Sequence, residues 1–135
     1  MTYGDEFILA LTIWREASNQ GVEGMQAVAC VVRNRVKAWG GSIYSQCLAP
    51  NQFSSMTIKG DANTVRWPPT NNSAWIQAQS IAKDTIDGSL ADCTKGALYY
   101  WNAKIATSGW FKENIAGKPS DHPLISTIGD HQFYA

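Results

Sequence analysis

Two segments near the N terminus have the apolar periodicity of long amphipathic helices. In residues 4–17, apolar side chains recur at steps of three and four, and the polar run 18–21 ends the pattern. A second periodic segment covers residues 22–39 and ends at Gly40-Gly41. Because each apolar face has to be buried against another element, we expect the core to be built around this helix pair.

The next part of the chain predicts less regular structure. A turn of helix is expected within residues 42–47. Residues 48–70 contain proline, glycine, asparagine and aspartate without sustained periodicity, which is typical of a long functional loop. A third helix is predicted over residues 74–86, with Asn72 or Ser73 as its N-terminal cap.

The C-terminal part of the chain predicts short strands. The aromatic-rich run 96–101 has the length and composition of a strand, and residues 125–134 indicate a second strand broken at Gly129-Asp130. Helices followed by short strands predict an α+β fold that is predominantly α. The length of 135 residues predicts a single domain over residues 1–135.

The charge balance and the aromatic content narrow the classes of function. Eleven basic residues offset eleven acidic ones, so the chain lacks the positive charge that is typical of nucleic-acid binding. No apolar run approaches the roughly 20 residues that span a bilayer, so no membrane insertion is expected. Six Trp and five Tyr in a chain this short either fill the core or present flat faces and hydrogen-bonding groups to sugars.

The cysteines and histidines do not form a recognisable metal or redox motif. Cys30, Cys47 and Cys93 lack C-x-x-C spacing, and the histidines lack an H-E-x-x-H pattern, so neither a metal nor a cofactor is expected. Cys30 falls in the apolar helix pattern and is expected to be a buried thiol. Cys47 and Cys93 lie near predicted loops, and a disulfide between them stays open. A thiol peptidase that uses Cys30 or Cys93 with His131 is a further alternative.

Glu16 is the strongest candidate for acid–base chemistry. It lies at the C-terminal end of the first predicted helix and shares a face with Leu9, Thr12 and Ile13. These neighbours and the negative end of the helix dipole both disfavour a charged carboxyl, and so unfavourable a position points to function. Cleavage of a glycosidic bond requires a carboxylic acid that is held protonated. The alternative is a solvated residue at a helix end.

Five blocks of the sequence follow one another in an order that is typical of one family. They are residues 9–17, residues 23–36, P-x-Q-F-S at 50–54, D-x-T-x-G-A-x-Y-(aromatic)-x-N at 92–102, and I-G-x-H-x-F at 128–133. Each block alone is weakly specific, whereas the five in this order span nearly the whole chain. On these residues the chain resembles the cell-wall hydrolase family that includes the spore cortex-lytic enzymes.

The resemblance implies a lysozyme-like helical domain with a small antiparallel β-sheet, and a peptidoglycan glycosidase of the lytic-transglycosylase type. The family's catalytic glutamate corresponds to Glu16, and the implied partner is a peptidoglycan glycan strand. The residues that the resemblance places along the glycan groove are Gln52, Phe53, Ser54, Tyr99, Tyr100, Asn102 and His131. Two positions depart from the family pattern. Arg15 stands where glycine is common, and Gln20 stands where a glutamate is common, which removes a candidate second carboxylate.

A single acid suits cleavage of the MurNAc–GlcNAc bond by transglycosylation. In that reaction the glutamate protonates the leaving oxygen and then accepts the proton of the C6 hydroxyl, which closes a 1,6-anhydro ring. A hydrolytic muramidase needs a second carboxyl, for which Asp61 is the best residue available, although its context is that of a solvated loop residue. A cell-wall amidase or peptidase and an inactive glycan-binding module are the further alternatives.

The N-terminal residues carry no basic region ahead of an apolar run, so no signal peptide is predicted. A catalytic domain of this size without such a signal resembles a bacteriophage endolysin. Such a protein is made in the host cytoplasm and reaches the periplasm and cell wall on release at lysis. We therefore expect the protein to be made in the host cytoplasm and to act on the cell wall after release. We also expect it to be a monomer.

Overall fold

The structure begins with two long helices that pack against each other. This computed structural model describes residues 3–50, 52–105 and 108–135; outside them lie Asn51 of the P-x-Q-F-S block and Met1-Thr2 of the N-terminal segment. Helix α1 covers Tyr3–Ala17 and helix α2 covers Gly21–Trp39, which confirms both predicted helices. Gly40 ends α2 with a φ of 83°, a conformation that strains residues with a side chain.

Short helical turns occupy the segment between α2 and the next long helix. Helix α3, Ile43–Cys47, confirms the predicted turn and begins at Ser42, whose side chain accepts the Ser45 N–H. The segment predicted as irregular also contains helix α4, Ser54–Thr57, and a 3₁₀ turn, Ala62–Val65. Turns this short show no periodicity, so the sequence pattern did not reveal them.

Helix α5, Ser73–Asp87, is the third long helix, and each of its ends is capped. The Asn72 side chain accepts the Trp75 N–H at 3.0 Å, which makes Asn72 the N-terminal cap. Gly88 closes the helix in the left-handed conformation, with a φ of 85°. The predicted helix and the first of its two proposed caps are therefore confirmed.

Three short antiparallel strands form a sheet in the order β1-β3-β2. Strand β1, Tyr99–Trp101, confirms the first predicted strand but is shorter. Strands β2, Leu124–Ile128, and β3, His131–Tyr134, form a hairpin, whereas the sequence predicted one interrupted strand. The chain reverses at Gly129, where φ is 58°, so the polar break in the apolar run is the turn itself.

A helical segment before the hairpin was not predicted. Helix α6, Gly109–Phe111, continues into a π turn, Lys112–Ala116. Ile115 is buried, and the Phe111 ring stacks on Trp101 at 4.7 Å between ring centroids. So short a segment is stabilised by its contacts with the sheet, because an isolated helix of this length is not stable in water.

The core consists of two clusters that meet on α2. The larger cluster joins α1, α2 and α5 through residues such as Leu9, Val28 and Ile81. The smaller cluster joins α2 to the sheet, and its buried members are Ala27, Val31, Ala97 and Phe133. Helix α2 is therefore buried on two faces. In the described part of the chain, no helix is both long enough and apolar enough to cross a membrane.

The three cysteines are arranged differently from the disulfide that the sequence left open. Cys47 is the last residue of α3, next to the loop that follows, and its side chain is buried. The Sγ atom of Cys93 lies 3.9 Å from that of Cys30, and all three residues are free thiols. Cys93 therefore faces Cys30 and not Cys47, because the packing of the chain against α2 brings those two side chains together.

Candidate active site

A groove with a volume of about 1180 Å³ opens beside the C-terminal end of α1. Glu16 lies in the last turn of α1 and lines this groove. Part of the lining comes from α4 and its neighbours, including Ile58 and Asp61. Another part comes from β1 and the residues that follow it, including Trp110. Segments that are distant in sequence thus surround one helix end.

Both carboxylate oxygens of Glu16 accept hydrogen bonds from side-chain hydroxyls. The Ser55 hydroxyl donates to Oε2, and the Tyr100 hydroxyl donates to Oε1. Ser55 belongs to α4 and Tyr100 to β1, so two other elements hold the carboxyl of an α1 residue. Burial and the charge of Glu16 raise the pKa of Tyr100 well above its ordinary value, which keeps the phenol a donor. The carboxyl therefore has a defined orientation in the groove.

A buried guanidinium lies beneath the aromatic part of the groove. Arg35 of α2 is 4% exposed, and its Nε donates to the Leu98 carbonyl at 2.7 Å. Its guanidinium carbon lies 5.0 Å from the Phe53 ring centroid and 5.3 Å from that of Trp39. Burial lowers the pKa of Arg35, but a guanidinium is not deprotonated in proteins. Arg35 therefore places a positive charge near the Glu16 carboxyl.

The residues predicted along the glycan groove lie on its surface, with one exception. Those on the surface are Gln52, Ser54, Tyr99, Tyr100, Asn102 and His131. Phe53 is 1% exposed and packs under the groove, with its ring centroid 6.4 Å from that of Tyr100. The Phe53 ring belongs to the larger core cluster, whereas Ser54, the first residue of α4, lines the groove. The role expected of Phe53 is thus corrected from lining to support, and glycan contact by the other residues stays a prediction.

His131 is a buried imidazole at the edge of the groove. It is 7% exposed, and its ring centroid lies 5.0 Å from that of Tyr100 and 6.2 Å from that of Phe133. Its Nδ1 atom has no hydrogen-bond partner among the residues that the structure describes. Burial lowers the pKa of His131, while the nearby charge of Asp130 opposes the shift. The groove therefore contains a neutral imidazole near neutral pH.

Asp61 lines the same groove as Glu16. Its sequence context indicates a solvated loop residue and does not predict this position. Asp61 is half-buried and caps the 3₁₀ turn, since its Oδ1 accepts the Asn63 N–H at 2.8 Å. The residue thus has a structural role of its own. It also supplies a second carboxyl to the groove.

Several groove residues were not predicted from the sequence. Ser55 adjoins the predicted Ser54, and nothing in the sequence tells which hydroxyl bonds the glutamate. Arg35 lies three positions after Val32 on the buried side of α2. A charged residue on the apolar face of a predicted helix is unusual, so the sequence pattern alone could have marked Arg35 as a candidate functional residue. The exposed apolar residues of the lining, which no local pattern distinguishes, are Trp39, Ile58, Ile105 and Trp110.

The thiols do not have the properties of catalytic nucleophiles. Burial raises the pKa of Cys30 to about 12 and that of Cys47 to about 11, and it also raises the pKa of Cys93. Across the described ranges, no three His, Cys, Asp or Glu side chains are grouped as metal ligands. The arrangement therefore gives no support to the thiol-peptidase alternative.

The fold and the groove together define a lysozyme-like domain in which a glutamate at a helix end faces a groove of aromatic and polar side chains. Within that class, the chain belongs to the Cell Wall Hydrolase family, whose model matches residues 19–134. The family resemblance and the predominantly helical α+β fold are thereby confirmed. The match to the family model begins after Glu16, so the role of Glu16 rests on its sequence block and on its contacts.

Curated relatives include two spore cortex-lytic enzymes. The chain is 27% identical to the one from Oceanobacillus iheyensis over 128 residues, which cover 93% of this chain and 40% of the relative. It is 29% identical to the one from Bacillus subtilis over 128 residues, which cover 93% of this chain and 36% of the relative. The chain thus spans less than half the length of these curated relatives.

Two solved structures have the same fold. The first is the catalytic domain of the germination-specific lytic transglycosylase SleB from Bacillus anthracis, with a TM-score of 0.74 and 26% identity. The comparison covers 100% of this chain and 97% of that domain. The second is the catalytic domain of the Bacillus cereus SleB protein, with a TM-score of 0.71 and 26% identity, covering 99% of this chain and 91% of that one.

Proposed function

We propose that this chain cleaves the MurNAc–GlcNAc glycosidic bond of peptidoglycan as a lytic transglycosylase, with Glu16 as its proton-transfer group. The observation that carries the proposal is the Glu16 carboxyl, which the Ser55 and Tyr100 hydroxyls hold in a groove of about 1180 Å³. Its similarity to a solved lytic-transglycosylase domain supports the same chemistry here.

In the proposed reaction, one carboxyl serves first as acid and then as base. Glu16 donates a proton to the glycosidic oxygen as the bond from that oxygen to C1 of MurNAc breaks. The C6 hydroxyl of the same sugar then attacks C1, and Glu16 takes up the proton of that hydroxyl. The product has a 1,6-anhydro ring, and no water is consumed. The Ser55 and Tyr100 hydroxyls keep the carboxyl in one position for both steps.

The groove supplies the kinds of group that bind sugars. The rings of Trp39 and Tyr99 lie 5.7 Å apart between centroids, and Trp39 is 45% exposed. Such faces suit the C–H faces of sugar rings. Asn102 and His131 add polar groups to the same lining. We propose a glycan strand as the ligand of this surface.

One digestion of purified cell wall tests the proposal. For the wild-type chain we expect fragments that end in 1,6-anhydro-MurNAc, which are lighter by one water than hydrolysed ends and resist borohydride. Glu16→Gln should lower the rate by about 10²–10⁴-fold, because an amide cannot donate the proton. Mass spectrometry identifies the ends, and circular dichroism checks the fold. The matched control is Glu23→Gln in the exposed first turn of α2, which should keep the wild-type rate.

Asp61 distinguishes the two glycosidase mechanisms. Because it lines the groove with Glu16, a hydrolytic muramidase is the second candidate. Transglycosylation predicts that Asp61→Asn changes the rate only modestly, whereas hydrolysis predicts reducing ends and an inactive Asp61→Asn. More than a tenth of wild-type activity in Glu16→Gln contradicts both. New amino groups would indicate a peptide-cleaving enzyme, and binding without release of fragments would indicate a glycan-binding module.

We also propose that the chain acts as a monomeric endolysin of bacteriophage origin, made in the host cytoplasm and active on the cell wall after release. The support is the similarity of the chain to a solved lytic-transglycosylase catalytic domain, since an endolysin requires an activity on the cell wall. Fractionation of producing cells before and after lysis tests the location. Light scattering of the purified chain tests the monomer.

A further inference from the structure

Arg15 is a buried arginine directly before the proposed catalytic residue. It lies in the last turn of α1 and is 7% exposed. Burying a guanidinium costs free energy that hydrogen bonds have to offset. Its Nη2 atom nevertheless has no partner among the described residues, and burial, followed by the charge of Arg66, lowers the pKa of Arg15. An unfavourable side chain beside a functional group indicates a role that stability alone does not explain.

The Arg15 side chain hydrogen-bonds to residues at both ends of the segment 55–67. Its Nη1 donates to the Ser55 carbonyl at 3.2 Å, and its Nε donates to the Arg66 carbonyl at 3.0 Å. Its guanidinium carbon also lies 4.8 Å from the Trp67 ring centroid. The planar guanidinium presents donors in fixed directions, so it holds the two carbonyls in a fixed relation to each other.

The segment that Arg15 holds, residues 55–67, forms part of the groove. Ile58 and Asp61 belong to it and line the groove. Its first residue, Ser55, donates its hydroxyl to Glu16. Ser55 is therefore held twice by neighbouring residues of α1, since Arg15 binds its carbonyl and Glu16 binds its hydroxyl.

We propose that Arg15 is a positioning residue, which sets the Ser55 hydroxyl against the Glu16 carboxyl by clamping the segment 55–67 to α1. This inference rests on the proposed function of Glu16. Adjacent helix residues do not share a face, so Arg15 and Glu16 reach Ser55 from different directions and restrain it more tightly than either does alone. A shift of about 1 Å in a catalytic group costs up to roughly 10²-fold in rate, so a small movement of Ser55 is consequential.

The test is a double-mutant cycle on turnover of a soluble peptidoglycan fragment. Arg15→Met removes the donors at similar length, Ser55→Ala removes the hydroxyl, and the third variant carries both changes. We expect each single change to lower kcat by roughly ten-fold, the size of one lost hydrogen bond to a charged group, with little change in KM. Because both changes remove the same interaction, the double variant should be no slower than the slower single variant.

A second substitution and a control separate positioning from general stability. Arg15→Lys keeps the positive charge but lacks the planar guanidinium, so its kcat should lie between those of Arg15→Met and the wild-type chain. If Arg15→Met does not fold, Arg15→Lys takes its place in the double-mutant cycle. Arg33→Met is the matched control, because Arg33 of α2 donates to the Leu90 carbonyl and does not line the groove. It should lower the melting temperature while leaving kcat unchanged.

The outcomes distinguish this inference from the proposed function. Additive losses, roughly 10²-fold in the double variant, would overturn the role of Arg15 while leaving Glu16 in place. So would a wild-type kcat in Arg15→Met, or a change confined to KM. Substantial activity in Glu16→Gln, by contrast, would overturn the proposed function itself, whatever the cycle shows.

Discussion

Tyr100 connects the side chains of the groove with one another. Its hydroxyl donates to Glu16, and its ring stacks on Phe133 at 5.5 Å between centroids. The same ring lies 5.0 Å from the centroid of His131. The position of the hydroxyl is therefore determined by the packing of the ring. His131 is part of that packing, so its protonation state bears on the stability of the site.

The pKa of His131 predicts a loss of stability in mildly acid solution. Burial lowers this pKa from its ordinary value of 6.5, so the unfolded chain binds a proton at a higher pH than the folded chain does. Unfolding therefore takes up a proton as the pH falls below 6.5, and the free energy of unfolding decreases in that window. Above it the imidazole is neutral in both states and contributes no pH dependence.

Urea unfolding at about pH 7.5 and about pH 5.5 measures this effect. We expect the midpoint of the wild-type chain to fall at the lower pH, and that of His131→Asn to fall less. Asp130 does not interfere, because a hydrogen bond from Lys104 lowers its pKa from 3.8 and its contribution is lost only in more acid solution. An equal fall of the urea midpoint in the wild-type chain and in His131→Asn would contradict the assignment to His131.

The corner between α1 and α2 is joined to the β2–β3 turn by one side-chain amide. The Nε2 of Gln20 donates to Oδ2 of Asp130 at 3.3 Å, and its Oε1 accepts the Asp130 N–H at 3.1 Å. Lys104 Nζ contacts the other oxygen of Asp130 at 2.9 Å. Gln20, one of the departures from the family pattern, is thus a link between the helices and the sheet. The residue after Asp130 is His131, so this link lies next to the groove.

Gln20→Glu should weaken that link. A carboxylate cannot donate to Asp130 and repels it, so we expect the melting temperature to fall by roughly 2–4 °C at neutral pH. Added salt should recover part of the loss, because it screens exposed charges. Differential scanning calorimetry at low and high salt measures both effects. Gln77→Glu, on the exposed side of α5, is the control and should change little; an equal loss there would refute the specific role of Gln20.

At the scale of the whole molecule, α2 is the element that the two core clusters share. Val28 packs in the larger cluster and Val31 in the smaller one, and both are fully buried. A helix buried on two faces couples the helices to the sheet, because neither cluster can lose α2 without exposing the other. We therefore expect the chain to unfold as one unit, as predicted for a single domain.

Val31→Ala tests this coupling. Loss of two buried carbons should cost about 2 kcal/mol, which lowers the melting temperature by roughly 6 °C. Far-ultraviolet circular dichroism reports the helices, whereas tryptophan fluorescence reports tertiary packing on both sides of α2, since Trp75 lies in the larger cluster and Trp101 in the sheet. All these signals should change in one coincident transition. Val65→Ala, at a residue that is 75% exposed, is the control and should have little effect. Separate transitions in Val31→Ala would show that the sheet side unfolds independently.

The sequence by itself determined the long helices and the Asn72 cap, and it selected Glu16 as the candidate acid. The periodicity over residues 4–17, 22–39 and 74–86 depends on neighbours three and four positions away, so it can be recognised without knowledge of the fold. The Asn72 cap is equally local. Glu16 was identified from its place at a helix end and from its sequence block, and the order of the blocks placed most of the lining of the groove.

Only the tertiary structure decided which side chains meet at that acid. It placed the Ser55 hydroxyl on Glu16, turned Phe53 under the groove, brought Asp61 into the lining and set Cys93 against Cys30. Each of these contacts joins segments that are distant in sequence. Local conformational preference does not determine such distances, because they follow from how the buried surfaces of α1, α2 and the sheet pack together.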